Sequence, residues 1–328
     1  MRLGLGQIHV VTDEVLKFAK QLGVSDLIVH TPPQRGEGYY EYFDLLHLNE
    51  RVKNAGLRLA AIESLPRKWY DRVVRGLEGR DEQIENWCKT LTNMGAAGIQ
   101  ILGYEWSMTG VWRTSAHSPG RGGSYVTSFD YEIAKEAPFG VSTFMDTVPT
   151  VKLSEEQMWE NFAYFLKRVV PVAEEAGVKM GLHPNDPPFS PLGGDTRIFT
   201  SVEAFKRMIK IVDSNYNGLE FCHGCFSEIG ADIPETILYF GKRKKILYVH
   251  FRNVKGSVPK FQESFIDNGD TDMFEAMQAF KKVGFDGPMI ADHVPRMIDD
   301  TPWGHRGRAY AIGYMKALMQ AVDKLADS

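Results

Sequence analysis

The sequence has little cysteine and lacks any long hydrophobic run. Only three cysteines, Cys88, Cys222 and Cys225, occur among the 328 residues. So few thiols argue against a disulfide framework and predict a reducing, cytoplasmic environment. No apolar stretch approaches the ~20 residues that a membrane-spanning helix needs, and the first residues do not resemble a secretory signal. We therefore expect a cytoplasmic protein with no membrane partner.

Strong net charge and several catalytic motifs are also absent. The formal net charge is only −4, which predicts no attraction to nucleic acid or to an anionic membrane. There is no G-x-S-x-G elbow for a serine nucleophile and no Walker A loop for nucleotide hydrolysis. The composition, 43% hydrophobic and 24% charged, is typical of a globular protein with a large core.

Short apolar runs alternate with longer helical patterns along the chain. Eight strands are predicted at residues 3–6, 26–30, 58–63, 98–103, 178–183, 219–222, 246–250 and 288–292. Eight strand–helix units predict parallel strands with crossover helices, and eight strands can close a barrel. The alternative, an open doubly wound sheet, lacks its Gly-rich phosphate turn, because Gly4 and Gly6 lie within the first strand. We predict an α/β fold, a (β/α)8 TIM barrel forming one domain over residues 1–328.

Helix boundaries are marked by capping residues and by glycines. Helices are predicted at residues 12–22, 81–94, 155–176, 202–212 and 273–283. Glycines that precede a strand are predicted to end helices, namely Gly23, Gly56, Gly95, Gly177 and Gly284.

One connection, from Tyr104 to Lys152, shows no clear helix or strand pattern. It is a long loop insertion after strand 4, at the end of the barrel where such enzymes carry their sites. Loops of this length are usually lids or disordered, and its aromatic residues argue against disorder. We predict a lid over residues 104–152, with part of Trp106, Trp112, Arg113 or Tyr125 facing the site. The alternative is an insertion packed outside the barrel or used in subunit contact.

Four residues that can bind a metal lie at the ends of the last four predicted strands: His183, Cys222, His250 and Asp292. In a parallel barrel these ends open on one face, so the four side chains should converge. Two imidazoles, a thiolate and a carboxylate suit a divalent transition metal such as Mn, Fe, Co, Ni or Zn. A single histidine at a strand end is more often a hydrogen-bonded structural residue. Redox chemistry at the C-x-x-C pair is disfavoured because no thioredoxin-like pattern surrounds it.

Further polar residues at strand ends are candidates for substrate binding. Asn185 and Asp186 follow His183, Arg252 follows His250, and Glu63 ends the third predicted strand. Arg252 could bind a substrate carboxylate through both guanidinium nitrogens. The alternative is a salt bridge from Arg252 to Asp292 or Glu263. His293 follows Asp292 directly, so it reaches the site only if the strand ends there and the chain turns back.

In combination these motifs resemble the mannonate dehydratase family, over most of the chain. The resemblance rests on the runs His183-Pro184-Asn185-Asp186-Pro187-Pro188, Arg197-Ile198, Asn217-Gly218-Leu219, His250-Phe251-Arg252-Asn253, Phe261-Gln262-Glu263-Ser264, Gly269-Asp270-Thr271-Asp272-Met273, Asp292-His293, Glu63-Ser64-Leu65-Pro66, Trp112-Arg113-Thr114 and Ala311-Ile312-Gly313. It implies a xylose-isomerase-like barrel that converts D-mannonate to 2-keto-3-deoxy-D-gluconate and water, typically with Mn²⁺. It also implies metal binding by the four strand-end residues, proton transfer by His293, and substrate contacts from Trp112 and Arg113.

The chain departs from the family pattern at three places. The first is the insertion after strand 4, which is shorter here than in the family's longer members. The family often has Phe-His-Glu where this chain has Gln262 before Glu263. The family's catalytic tyrosine falls at Ala309, and the nearest tyrosine here is Tyr310. One residue on a helix rotates a side chain by about 100°, so Tyr310 is only a candidate partner for His293.

Two other functions remain open at this point. A metal-dependent sugar isomerase or epimerase needs similar parts, since it also removes a proton next to a carbonyl. A sugar-acid binding protein without catalysis is the second alternative. As partners we expect a small sugar acid and further copies of the chain in a dimer or tetramer.

Overall fold

The computed structural model describes residues 1–33, 35–136 and 152–326. In this part of the chain the strands are β1 Arg2–Ile8, β2 Asp26–His30, β3 Arg58–Glu63, β4 Ile101–Tyr104, β5 Ser115–Pro119, β6 Tyr125–Asp130, β7 Lys179–Leu182, β8 Asn217–Cys222, β9 Ile246–His250, β10 Val254–Ser257, β11 Lys260–Glu263 and β12 Pro288–Ile290. The α-helices are α1 Asp13–Leu22, α2 Tyr42–Asn54, α3 Asp71–Arg75, α4 Arg80–Ala96, α5 Tyr131–Ala134, α6 Glu155–Ala176, α7 Val202–Ile211, α8 His223–Ile229, α9 Ile233–Gly241, α10 Met273–Lys282 and α11 His305–Ala326.

Eight parallel strands close into a barrel in the order β1, β2, β3, β4, β7, β8, β9 and β12. Leu5 of β1 pairs with Leu27 on one side, and Leu3 pairs with Met289 on the other, so neither edge of β1 is free. The predicted (β/α)8 barrel is therefore confirmed and the open sheet is excluded. Each predicted strand lies within three residues of the observed bounds.

The helices begin and end where capping chemistry predicts. Ser154 and Gln157 form a reciprocal capping box at the start of α6, and Gly177 ends that helix in the left-handed conformation. The five specified helices are confirmed to within two residues. None of the helices in the described ranges is long and apolar enough to cross a membrane.

Gly95 was predicted to end a helix, and this prediction is wrong. Helix α4 continues through Gly95 to Ala96, and the left-handed residue is Gly98, with φ +78°. A Cβ atom at Gly95 would lie 2.2 Å from the backbone oxygen of Ala176. Glycine is needed here because α4 and α6 approach closely, which a single sequence does not reveal.

The insertion after β4 contains regular structure, contrary to prediction. Its strands β5 and β6 form an antiparallel hairpin, which continues through β11 and β10 into one four-stranded sheet. Backbone hydrogen bonds also join Tyr125 to Arg296, in the loop after β12. Because the partner of β6 is about 130 residues away in sequence, local patterns did not indicate this sheet. Residues 137–151 of the predicted lid lie outside the described residues.

Polar side chains fill the part of the barrel interior nearest the site. Glu63, Glu220 and Tyr248 are buried there between strands. A Cβ atom at Gly103 would lie 1.9 Å from the Tyr248 hydroxyl oxygen and 2.9 Å from a Glu220 carboxylate oxygen. The absence of a side chain on β4 therefore makes room for a buried polar layer beneath the strand ends.

Candidate metal centre and active site

Three of the four strand-end residues converge in a buried cluster. One donor atom from each of His183, Cys222 and His250 lies within 4.8 Å of the other two. Residues 183, 222 and 250 stand at the C-terminal ends of neighbouring barrel strands β7, β8 and β9. All three side chains are buried.

The fourth residue, Asp292, lies beside this cluster. Its Oδ2 is 3.5 Å from Nδ1 of His250 and accepts a hydrogen bond of 2.9 Å from Nε of Arg252. Its Oδ1 is buried and has no hydrogen-bond partner among the described residues. A buried carboxylate oxygen without a partner is costly, so its orientation fits a site for a cation.

The hydrogen bonds of the two histidines set which nitrogen can bind a metal. Nδ1 of His183 is 2.6 Å from the backbone oxygen of Pro184 and must donate to it, which leaves Nε2 with a lone pair. Nε2 of His250 is 2.9 Å from Glu63 and donates a hydrogen bond to it, and the Glu220 carboxylate lies 2.8 Å away as a second anionic neighbour. Nδ1 of His250 is then left as the acceptor, buried and without a hydrogen bond in the described part of the chain. Histidines that bind metals usually donate their other nitrogen in this way.

The surrounding charges keep the two anionic donors ionised. Burial raises the pKa of the Cys222 thiol, but the Cys225 thiol and the Arg252 guanidinium hold it well below its usual value. Burial also raises the pKa of Asp292, and neighbouring imidazoles together with Arg252 hold that pKa well below its usual value. A thiolate and a carboxylate in one dry cluster are the charges that a divalent transition metal balances.

A cavity of about 370 Å³ opens beside the cluster at the barrel mouth. A second cavity of about 320 Å³ adjoins it and shares Gln7, His9, Val111, Asp292 and His293 with it. The hairpin and its preceding loop contribute Val111, Arg113, His117 and Thr127 to these walls. Part of the predicted lid thus lies at the barrel mouth, although Trp106 and Trp112 are buried away from the cavities.

His293 faces both cavities. Strand β12 ends at Ile290, so the chain turns before His293, as its predicted role requires. Its Nδ1 is 2.8 Å from Oε1 of Glu263, and its Nε2 is 3.6 Å from Oδ2 of Asp292. The carboxylate of Glu263 therefore fixes the proton on Nδ1 and leaves Nε2 as the basic nitrogen.

Arg252 was predicted to bind the substrate carboxylate, and the structure places it elsewhere. The side chain is 2% exposed and lines neither cavity of the barrel mouth. Its nitrogens donate instead to four buried carboxylates, those of Asp186, Glu228, Glu263 and Asp292. The salt-bridge alternative is therefore the one observed, and Arg252 holds Asp292 and Glu263 in place.

Two further predicted substrate contacts are structural. The Asn185 side chain donates to the backbone oxygen of Trp106 and accepts from the backbone nitrogen of Phe199. The Trp112 ring is 1% exposed and packs in a small apolar cluster beneath the hairpin. Neither side chain lines the two cavities, so the structure does not bring Asn185 or Trp112 to the site.

Glu63, Asp186 and Arg113 do lie at the cavities, as predicted. Arg113 donates to both carboxylate oxygens of Asp186 and, at 2.8 Å, to Glu263. It thus links the insertion to the carboxylate that orients His293. Oε1 of Glu63 accepts a hydrogen bond of 2.8 Å from Gln7, while Oε2 accepts the hydrogen bond from His250.

Tyr310, the candidate partner of His293, faces away from the cavities. Its side chain is 38% exposed, and its hydroxyl is 3.3 Å from a guanidinium nitrogen of Arg121. The ring packs against Phe265, with centroids 5.6 Å apart. Arg308, two positions earlier on α11, lines one of the cavities, and two residues on a helix rotate a side chain by about 200°.

Three carboxylates of the site were not identified from the sequence as functional: Glu220, Glu228 and Glu263. Glu220 could have been found, because it lies two residues before Cys222 on one strand and shares its face. Burial and the nearby Glu63 raise the pKa of Glu220 to about 7. Glu263 was named from the sequence only as a salt-bridge partner of Arg252, and the sequence contains no local signal for Glu228, because the roles of both come from contacts with the buried Arg252.

Comparison with known proteins identifies the family. The family model described as D-mannonate dehydratase (UxuA) matches residues 10–328. A mannonate dehydratase of Thermotoga maritima is 35% identical over 325 residues, 87% of each chain, and one of Streptococcus agalactiae is 33% identical over 310 residues, 84% of this chain and 85% of its own.

Solved structures agree with the sequence comparisons. The crystal structure of mannonate dehydratase from Streptococcus suis superposes with a TM-score of 0.88 at 29% identity, covering 100% of this chain and 95% of that one. An L-ribulose 3-epimerase, at a TM-score of 0.64 and 14% identity over 99% of this chain and 97% of its own, shares the fold. This chain belongs to the D-mannonate dehydratase family.

Proposed function

We propose that this chain removes water from D-mannonate to give 2-keto-3-deoxy-D-gluconate, with the help of a divalent metal. The observation that carries the proposal is the convergence of His183, Cys222, His250 and Asp292 next to His293 at the barrel mouth. The substrate is supported by the names of the relatives, which are mannonate dehydratases.

The proposed metal is Mn²⁺, and Fe²⁺, Co²⁺, Ni²⁺ or Zn²⁺ would fit the same donors. Nitrogen, sulfur and oxygen donors together favour a transition metal over Ca²⁺ or Mg²⁺, which prefer oxygen. When bound, such a metal would polarise the substrate's carboxylate and C2 hydroxyl and make the C2 proton more acidic.

His293 is the proposed base that takes the C2 proton. Its Nε2 faces the cavity while Glu263, 2.8 Å from Nδ1, stabilises the imidazolium that forms. Glu263 is itself kept ionised, since burial raises its pKa but Arg252 and His293 lower it below the usual value. Glu263 is therefore a positioning residue, because it acts through the imidazole and not on the substrate.

The same imidazole is the proposed acid for the departing hydroxyl. In dehydration the C2–H and C3–O bonds break, a C2–C3 double bond forms, and the enol then becomes the 2-keto acid. The proton that His293 takes from C2 can be passed to the C3 oxygen, which leaves as water. This assignment needs no second side chain and is consistent with the outward position of Tyr310.

The cavity walls position the sugar and exclude water. Glu63 and Asp186 offer carboxylate oxygens for substrate hydroxyls, and Arg113 closes the side formed by the hairpin. We propose that residues 104–152 act as a lid on a single catalytic domain. Strand β6 supports this role because it pairs with β11, which ends at Glu263.

The test is direct. Protein loaded with Mn²⁺ is incubated with D-mannonate, and mass spectrometry follows loss of one water together with formation of a 2-keto-3-deoxy acid. Chelator-treated protein is the control and should be inactive. Product from ketohexose epimerisation without dehydration of any sugar acid would overturn the proposal in favour of an epimerase. Metal-dependent binding of D-mannonate without product would favour a binding protein.

We also propose a cytoplasmic location and a homo-oligomer, a dimer or tetramer. The unpaired state of Cys88, Cys222 and Cys225 supports a reducing environment. Light scattering during size-exclusion chromatography would measure the mass in solution against the 37.0 kDa of one chain, and a monomer at that mass would contradict the oligomer.

A further inference from the structure

A sugar acid needs a cation for its carboxylate, and most arginines at the cavities are already paired or exposed. Arg67 donates to Glu105 at 2.6 Å, and Arg113 is bound to the carboxylates of Asp186 and Glu263. Arg296 points largely into solvent. The remaining arginine of the cavity walls is Arg308, which is buried.

Arg308 is a buried cation without a carboxylate partner. Its side chain lies in the first turn of α11, and the residue is 7% exposed. No described carboxylate comes within 4.0 Å of its guanidinium, in contrast to the other buried arginines of the site. Burial lowers its pKa to about 10, so it remains charged near neutral pH. Asp292, Asp300 and Glu63 offset part of the burial from a distance, but none forms a contact ion pair. A buried charge without a contact partner is costly, which favours a site for an anionic ligand.

Backbone oxygens hold the guanidinium in a fixed position. Nη1 donates to Gly6 at 2.7 Å, to Ala291 at 2.8 Å and to Asp292 at 3.1 Å, and Nε donates to Trp303 at 3.1 Å. The guanidinium carbon also lies 4.6 Å from the Trp303 ring centre. In the described structure Nη2 makes no hydrogen bond. One edge of the planar guanidinium, which is held in position by its other bonds, can therefore still donate to a ligand.

We propose that Arg308 binds the carboxylate of the sugar-acid substrate through Nη2, in the role that Arg252 was expected to fill. This inference rests on the proposed function. Arg308 contacts the backbone of Asp292 and lines the same cavity as His293. A carboxylate bound there places C2, the adjacent carbon, next to the base. The subsite therefore selects acids over neutral sugars and also fixes which proton is removed.

The experiment compares an acid with its neutral analogue. D-mannonate and D-mannonamide are titrated by calorimetry into Mn²⁺-loaded protein that carries His293→Asn, so that no turnover occurs. Because hydrogen bonds between charged groups are strong, the acid should bind roughly 10–100-fold more tightly than the amide. Adding Arg308→Gln should lower this ratio at least about fivefold, with the remainder due to the metal, while amide affinity changes less than about threefold. Equal affinity for acid and amide before Arg308 is changed would already overturn the inference.

Arg306→Gln is the matched control. Arg306 lies in the same helical turn, is exposed and donates to a backbone oxygen, that of Ile298, so its loss should leave the ratio unchanged. If Arg308→Gln does not fold, Arg308→Lys decides, because lysine keeps the charge but loses the planar donor and should lower the ratio. A ratio unchanged by the Arg308 substitution, or a parallel loss for acid and amide, would overturn the inference. Failure of the wild type to form product would instead overturn the proposed reaction and leave the binding result standing.

Discussion

The residues of the site divide into those that face the cavity and those that hold them. Glu263 contacts His293 and is itself held by two arginines, the fully buried Arg252 and Arg113, which also lines a cavity. Buried ion pairs of this kind add little net stability, since desolvation offsets much of their attraction. Their effect is geometric, because each carboxylate is fixed by more than one donor. Substitutions in the supporting set should therefore alter turnover more than affinity.

Replacing His293 by Asn should leave metal content near normal and lower turnover by roughly 10²–10⁴-fold, the usual range for general acid–base catalysis. The reason is that His293 lines the cavity and lies beside Asp292 without belonging to the buried donor cluster. Metal analysis and steady-state rates on one sample check this. Glu263→Gln should give a smaller loss, since the imidazole remains. Full activity of the His293 variant would exclude it from the mechanism, and loss of metal would make it a structural residue.

Replacing Tyr310 by Phe should leave kcat within about threefold of wild type. The hydroxyl contacts Arg121 on the outer side of the hairpin and does not line the cavities. Steady-state kinetics with D-mannonate would measure this. A loss of 10²-fold or more, the lower range for a catalytic acid, would show that Tyr310 reaches the substrate and that His293 does not serve both steps.

At the scale of elements, the barrel strands could be predicted from sequence and the hairpin could not. Each barrel strand is a short apolar run whose burial on both faces leaves a local pattern. From this pattern we predicted that His183, Cys222 and His250 lie together at one end of the barrel, and the structure shows them there. The alternation in β5 and β6 is weak, and their pairing with β11 joins distant segments. Distant contacts also decide that Arg252 is enclosed by carboxylates, and the sequence alone left a substrate contact and a salt bridge to Asp292 or Glu263 as alternatives.

Strand β4 offers a stability test at Gly103. An added Cβ would overlap the Tyr248 hydroxyl, at 1.9 Å, so Gly103→Ala should destabilise the fold by about 1–3 kcal/mol. Urea unfolding would measure the loss. Combining it with Tyr248→Phe, which removes the overlapping oxygen, should recover much of the stability. Additive losses in the double variant would show that the two positions do not interact.

At the scale of the whole molecule, metal binding and folding should be linked. The thiolate of Cys222 and the carboxylate of Asp292 are buried at the ends of strands from one half of the barrel. A cation that binds only the folded state stabilises it by mass action, by about 4 kcal/mol at a thousandfold excess over its Kd.

Adding Mn²⁺ to chelator-treated protein should therefore raise the melting temperature, and Cys222→Ser should remove most of the increase. Differential scanning calorimetry with and without Mn²⁺ checks this. Cys88→Ser is the matched control, because Cys88 lies on α4 away from the cluster and should keep the full increase. An equal increase in all three proteins would place the metal elsewhere.

The sheet formed by β5, β6, β11 and β10 also limits how this barrel can be re-engineered. Loops of α/β barrels are usually regarded as modules that can be exchanged one at a time. Here the insertion after β4 and the segment after β9 are strands of one sheet. Transplanting the insertion alone would leave β11 as an unpaired edge, open to aggregation, and would remove Arg113 from Glu263. The two segments must be grafted together, so changes of substrate range in this scaffold require both to be redesigned as a pair.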